Sequence, residues 1–116
     1  LPKDTRLETG LKSEKLVAEH FKGLGYELIL HRSKVFHTEI DLIFKDQKGV
    51  LHFVEVKSRK ATMDWHYAIS NQQKMRLERA LEYALRQNIK GVRCHLAIFG
   101  PAYGIKIFWD ILSKVV

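Results

Sequence analysis

TEIDLIFKDQKGVLHFVEVKSR, residues 38–59, carries carboxylates in a run that should otherwise be apolar. Its two halves are β-rich and flank DQKG, whose Asp46 and Gly49 are turn residues, so the stretch reads as a hairpin. If the turn sets Asp46 opposite Val50, Asp41 falls directly opposite Glu55. The two carboxylates then share a face with Glu39, Ile43, Phe53 and Lys57. The other face carries Ile40, Leu42, Phe44, Val54 and Val56 and reads as the core side. A register shifted by one residue would separate the acids. Like charges facing one another across an antiparallel pair cost about as much as the roughly 0.2–1 kcal/mol that favourable pairs contribute, so positive charge is expected between them. Lys57 supplies one cation, and a divalent ion with oxygen ligands, Mg²⁺ or Mn²⁺, satisfies two carboxylates better.

Before the hairpin, LKSEKLVAEHFKGLG (Leu11 to Gly25) spaces Val17, Ala18, Phe21 and Leu24 as a helix with Gly25 as its stop. Glu14 continues that apolar stripe at its N-terminal end, and a Glu there needs a partner. Tyr26 to Arg32 reads as a short strand. Residues 70–87 form a second helix with an apolar stripe of Leu77, Ala80, Leu81, Ala84 and Leu85, ended by Asn88 and Gly91. Gln73 and Lys74 lie on its inward side. VRCHLAIFG (92–100) and GIKIFWDIL (104–112) read as two more strands, the last one open to a partly helical reading. The fold class expected is α/β, a mixed β-sheet flanked by helices in the order α-β-β-β-α-β-β, as one domain over residues 1–116.

Composition narrows the function. The 116 residues hold 20 Lys and Arg against 13 Asp and Glu, a net charge of +7 that suits a polyanion partner such as DNA. The single Cys94 excludes an internal disulfide and reads as a small core residue of a cytoplasmic protein. No apolar run approaches the roughly 20 residues that span a bilayer, and LPKDTRLETG lacks a signal-peptide apolar region. Leu1 is not an initiator Met, so trimming at the start is expected. The six His residues show no zinc-ligand spacing.

One chemistry gathers the oddities. Phosphodiester hydrolysis needs a metal that polarises the phosphoryl oxygen and activates water, and a group that positions that water. Asp41 and Glu55 would hold the metal, Glu14 would reach it directly or through water, and Lys57 would orient the nucleophile and stabilise developing charge. Arg32, Lys34, Arg59, Lys60, Gln73 and Lys74 surround this acidic island and are the expected nucleic-acid contacts.

The set Glu14, Ile40-Asp41 and Val54-Glu55-Val56-Lys57 resembles the signature of the PD-(D/E)XK nuclease superfamily. Within it, GLKSEKLVAEHFKGLGYELILHRS, TEIDLIFKD and HFVEVKSR resemble the YraN-like (UPF0102-type) family, itself similar to archaeal Holliday-junction resolvases; the likeness covers Gly10 to Leu85. It implies a restriction-endonuclease-like fold and an Mg²⁺-dependent nuclease site, with Asp41, Glu55 and Glu14 as acids and Lys57 as the catalytic lysine. Ile40 replaces the superfamily's Pro, Thr38 stands where the family has Gly, and Cys94-His95 stand where it has an aromatic residue and Asp. The related resolvases act as dimers, and IKIFW with WDILSKVV offers such a homodimer contact.

Plainer readings stand beside these. Asp41, Glu55 and Lys57 form a surface ion-pair cluster in one, and Glu14 merely complements a helix dipole in another. Glu39 reads as a solvated neighbour paired with Lys57 or Arg32. Trp65 and Trp109 read as core or interface residues, and RKATMDWHYAIS (59–70) as a substrate-contacting loop. At the level of function, the rivals to a DNA nuclease are a catalytically silent nucleic-acid-binding module and a protein-interaction subunit of a DNA-processing assembly.

Overall fold

The computed structural model describes residues 5–61, 63–87 and 90–112. Its elements are α1 (Thr5–Gly23), β1 (Glu27–Val35), β2 (Thr38–Lys45), β3 (Leu51–Ser58), a short α2 (Trp65–Ala68), α3 (Asn71–Gln87), β4 (Val92–Gly100) and β5 (Gly104–Phe108). One five-stranded sheet runs in the order β1-β2-β3-β4-β5. All its pairs are antiparallel except β3 with β4, which α2 and α3 connect. This is the expected α/β arrangement.

Local chemistry explains the ends. The α1 helix begins at Thr5 rather than Leu11 and runs through Gly10. It closes with Gly25 at φ +97°, where the Gly25 amide donates to the Lys22 carbonyl and the Tyr26 amide to the Phe21 carbonyl. That pair of bonds is a Schellman cap, and the Phe21 and Tyr26 rings, 5.3 Å apart, supply its apolar contact. Leu24 lies beyond the last helical turn and is exposed, so it is not part of the helix's inward stripe. The α2 turn interrupts the expected loop; the Asp64 carboxylate caps it by accepting from the His66 amide. Asn88, expected to end α3, lies outside the described residues, as do Ser113 to Val116. Among the described residues, 109–112 continue neither as strand nor as helix, and no helix is long and apolar enough to cross a membrane.

The β2–β3 register is the one the turn implies: Lys45 pairs with Leu51, Phe44 with His52, Ile43 with Phe53 and Leu42 with Val54. The expectation of a single core face is corrected, because helices cover both sides of the sheet. Val17, Ala18 and Phe21 of α1 pack on Leu42, Phe44, Val54 and Ala97. Leu77, Ala80, Leu81 and Ala84 of α3 pack on Ile43, Phe53, Cys94, Leu96 and Ile98. Each large side chain buried in these layers contributes about 1.5–3 kcal/mol.

Ile40 is the informative exception. Strand alternation puts it beside Leu42 on one face, yet Ile40 joins the α3 layer and Leu42 the α1 layer. Residues two apart on a regular strand share a face, so β2 turns over at Asp41, where its ladder with β3 stops.

Candidate active site

The site forms where that ladder ends. Beyond Leu42 and Val54 the two strands no longer exchange backbone bonds, and the Asp41 carboxylate takes the place of a backbone acceptor. Its Oδ2 accepts the Val56 amide at 2.8 Å, while Glu55 Oε1 accepts the Asp41 amide at 3.4 Å. Each carboxylate is thus fixed by the other strand's backbone. Glu55 Oε2 accepts from the Gln73 side chain at 3.2 Å, which joins the first turn of α3 to the hairpin.

The α1 helix supplies the third acid. Glu14 is 5% exposed, as expected for an acid on the inward stripe. Its partner is Arg32, whose guanidinium donates to Oε2 at 2.6 Å and to Oε1 at 3.3 Å; His31 Nε2 lies 3.6 Å away. Arg32 therefore pairs with Glu14 and not with Glu39. Its backbone sits at φ 51°, a left-handed position that a non-glycine residue holds only at a cost. Beside Glu14, the Ser13 and Ser58 hydroxyls meet at 2.6 Å and tie α1 to β3.

A cleft of about 840 Å³ gathers Glu14, Arg32, Glu39, Asp41, Glu55, Lys57, Arg59, Lys60 and Gln73. Lys34 and Lys74 do not line it. Lys34 is exposed on β1, and the Lys74 ammonium stands 5.6 Å over the Trp65 ring. The Arg59 guanidinium donates to the Ser58 and Ala68 carbonyls, so it braces the loop after β3. Sequence reasoning misses Gly10, Ser13, Ser58, Phe99 and Pro101, which also line the cleft. Gly10 and Ser13 arrive from α1 and Phe99 and Pro101 from the end of β4, for which spacing from the hairpin motif carries no signal, while Ser58 ends β3 within the motif.

The electrostatics are those of crowded acids. Burial raises the Asp41 carboxyl above its ordinary range, with Glu14 adding to it and the Val56 amide and Lys57 opposing. Burial pushes Glu55 up to about 8, the Asp41 charge adds to it, and Lys57 only partly offsets both. Two carboxylates that resist ionising beside each other are stabilised by a divalent cation, so the donor chemistry fits a hard metal. Among the described residues no group of three or more His, Cys, Asp or Glu side chains stands arranged as a metal cage. Mg²⁺ needs none, since it keeps several waters and is commonly held by one or two carboxylates with substrate phosphate.

A second polar cluster lies under α1, away from the cleft. His95 Nδ1 accepts the Asp110 amide at 2.9 Å, so the neutral ring carries its proton on Nε2 and donates to His52 Nδ1 at 2.8 Å. His52 Nε2–H in turn points to Asp46 Oδ2 at 2.9 Å. Both rings are buried among Tyr26 and Trp109, and burial, then His52, lowers His95 to about 4.

Comparison with known proteins follows the same lines. Residues 13–99 match the family model described as Uncharacterised protein family UPF0102. A UPF0102 protein of Helicobacter pylori strain HPAG1 is 38% identical over 92 residues, 79% of this chain and 69% of that one. Another, of Bradyrhizobium sp. strain ORS 278, is 38% identical over 69 residues, 60% of this chain and 48% of the relative. Among solved structures, the chain is similar to a repair endonuclease from Pyrococcus abyssi with a TM-score of 0.56 and 19% identity. The match covers 80% of this chain and 38% of that protein, and it shows a shared restriction-endonuclease-like fold.

Proposed function

We propose that this chain, which belongs to the uncharacterised protein family UPF0102, is a metal-dependent endonuclease that hydrolyses DNA phosphodiesters, branched DNA among them. The observation that carries the reading is the pairing of Asp41 and Glu55 where β2 and β3 part, with both carboxyls held above their ordinary range.

Asp41 and Glu55 would hold Mg²⁺ or Mn²⁺, and Glu14 would add an acid at the edge of the site. When bound, the metal polarises the phosphoryl oxygen and lowers the pKa of water. The chain's own residues do the rest. Lys57, on the same strand as Glu55, orients the attacking water and stabilises the charge that develops on the phosphate. Arg32, held by Glu14, and Lys60 at the cleft's rim draw the phosphate backbone in. Gln73 holds the Glu55 carboxylate in place.

A second reading, a catalytically silent nucleic-acid-binding module, draws on one observation: the Glu14 carboxylate is already engaged by Arg32. Cleavage of labelled four-way-junction, flap, single-stranded and linear duplex DNA separates the two. With Mg²⁺ or Mn²⁺ the wild type is expected to give products that vanish in chelator and in Asp41→Asn. Products that persist in Asp41→Asn would place the chemistry elsewhere. Binding without cleavage of any substrate would leave the silent module.

A further inference from the structure

The β1–β2 hairpin ends in a turn that its residues do not favour. Val35 pairs with Thr38, leaving Phe36 and His37 as a two-residue loop, and both have positive φ, 47° and 66°. This is the type I′ pattern, which prefers Asn-Gly because the left-handed region is costly for bulky side chains. A Phe and a His held there carry backbone strain. The strain does not serve the core, since the Phe36 side chain is 49% exposed.

Beside that tip runs the outer face of α3. Arg76, Arg79, Tyr83 and Arg86 recur at three- and four-residue intervals, so they form one stripe, and all four are exposed. The hairpin is pinned against it by the Thr38 hydroxyl, which donates to the Arg76 carbonyl. The Phe36 and Tyr83 rings stand 5.4 Å apart at a tilt of 42°, with His37 against Phe36 at 5.7 Å. Two exposed rings and three exposed Arg along one helix face match what an unpaired base and its phosphates require, a π-face and positive charge. A protein partner would need carboxylates spaced to match the row of Arg, whereas a nucleic-acid strand supplies a phosphate at every nucleotide. Phe36 lies five residues along the chain from Asp41, roughly 16 Å at strand rise, the length of about five stacked nucleotides.

We propose that Phe36 and Tyr83, with Arg76, Arg79 and Arg86, form a stacking platform that binds unpaired nucleotides of a nucleic-acid strand leading into the Asp41–Glu55 cleft. The inference rests on the nucleic-acid reading of the cleft but does not need cleavage. The turn's strain provides the decisive variant. Phe36→Asn/His37→Gly installs the preferred turn pair, so thermal stability is expected to rise.

The test measures affinity in chelator for a labelled single-stranded oligonucleotide and for the same sequence as duplex. In the stabilised variant, and in Tyr83→Ala, single-strand affinity is expected to fall about tenfold with little change for duplex. Phe36→Trp is expected to retain it. Unchanged single-strand binding in both variants overturns the platform, as does an equal loss on duplex, or a wild type that ignores nucleic acid and self-associates through this face. Aromatic-dependent binding by a wild type that cuts nothing supports the platform and overturns the nuclease alone.

Discussion

Burial and the Asp41 charge hold the Glu55 carboxyl well above its ordinary range, and its protonation has a sign that can be measured. Its carboxyl titrates near 4.5 when free and about 8 in the fold, so between these values the folded state holds the extra proton. Stability from this group is therefore intact below about pH 4.5 and is lost as pH rises through 8. The loss is on the order of a few kcal/mol. Glu55→Gln removes that charge, while the Gln73 amide can rotate to offer its oxygen. In chelator at pH 8 the variant is expected to melt higher than the wild type, with the gap closing towards pH 5. His95 acts in the opposite sense. Its free value of 6.5 drops to about 4 in the fold, so the unfolded chain takes up the extra proton and stability falls as pH drops from 6.5 to 4. In the wild type the two slopes oppose one another between about pH 4.5 and 6.5. In Glu55→Gln the His95 slope should stand out as a melting temperature that rises with pH across that window, and His95→Gln should flatten it.

Among elements, the end of β4 shows how a site depends on a residue without a side chain. A Cβ at Gly100 would fall on the Tyr103 ring and on the Arg59 carbonyl. The open space lets the Tyr103 hydroxyl donate to that carbonyl at 2.9 Å, while the Arg59 amide donates to the Phe99 carbonyl. These bonds hold the residues that follow Lys57. Gly100→Ala meets backbone that cannot move aside, so it is expected to cost about 1–3 kcal/mol in chemical denaturation and to lower activity more than Tyr103→Phe, which removes only the hydroxyl. The hairpin register is legible in the sequence, because the DQKG turn fixes it locally and Asp41 and Glu55 follow from it. Glu14 is legible too, since the period of α1 puts it on the inward face. The turn-over of β2 at Asp41 is not, because period 2 assumes a regular strand and nothing in TEIDLIF marks its break. The two-sided sheet escapes a reading of the residues for a related reason: Ile43 and Phe53 beside acids look like an exposed face, and only the packing of α3 covers them. His52 and His95 meet only through the parallel pairing of β3 with β4, a contact 43 residues apart that no spacing encodes.

A chain of net charge +7 gathers four of its acids, Glu14, Glu39, Asp41 and Glu55, in the cleft that the proposed function gives to the phosphate. On that proposal the arrangement should oppose binding without metal and favour it with metal. Asp41→Asn isolates the effect above about pH 8, where Glu55 is ionised in either protein, because the Asn carbonyl can still accept the Val56 amide while one negative charge leaves the cleft. A unit charge about 4 Å from a phosphate is worth roughly 1 kcal/mol in water, so in chelator at low salt the variant is expected to bind DNA about fivefold more tightly than the wild type. For about six phosphate contacts, affinity of either protein should fall on the order of a thousandfold between about 50 and 200 mM salt. Adding Mg²⁺ should strengthen the wild type, fill the charge gap and leave Asp41→Asn nearly unchanged. Tighter binding with no cleavage in the same variant would separate the basic surface that gathers DNA from the acids that act on it. Weaker binding in chelator would instead mean that Asp41 holds the cleft's shape, and that its charge is not what the phosphate meets.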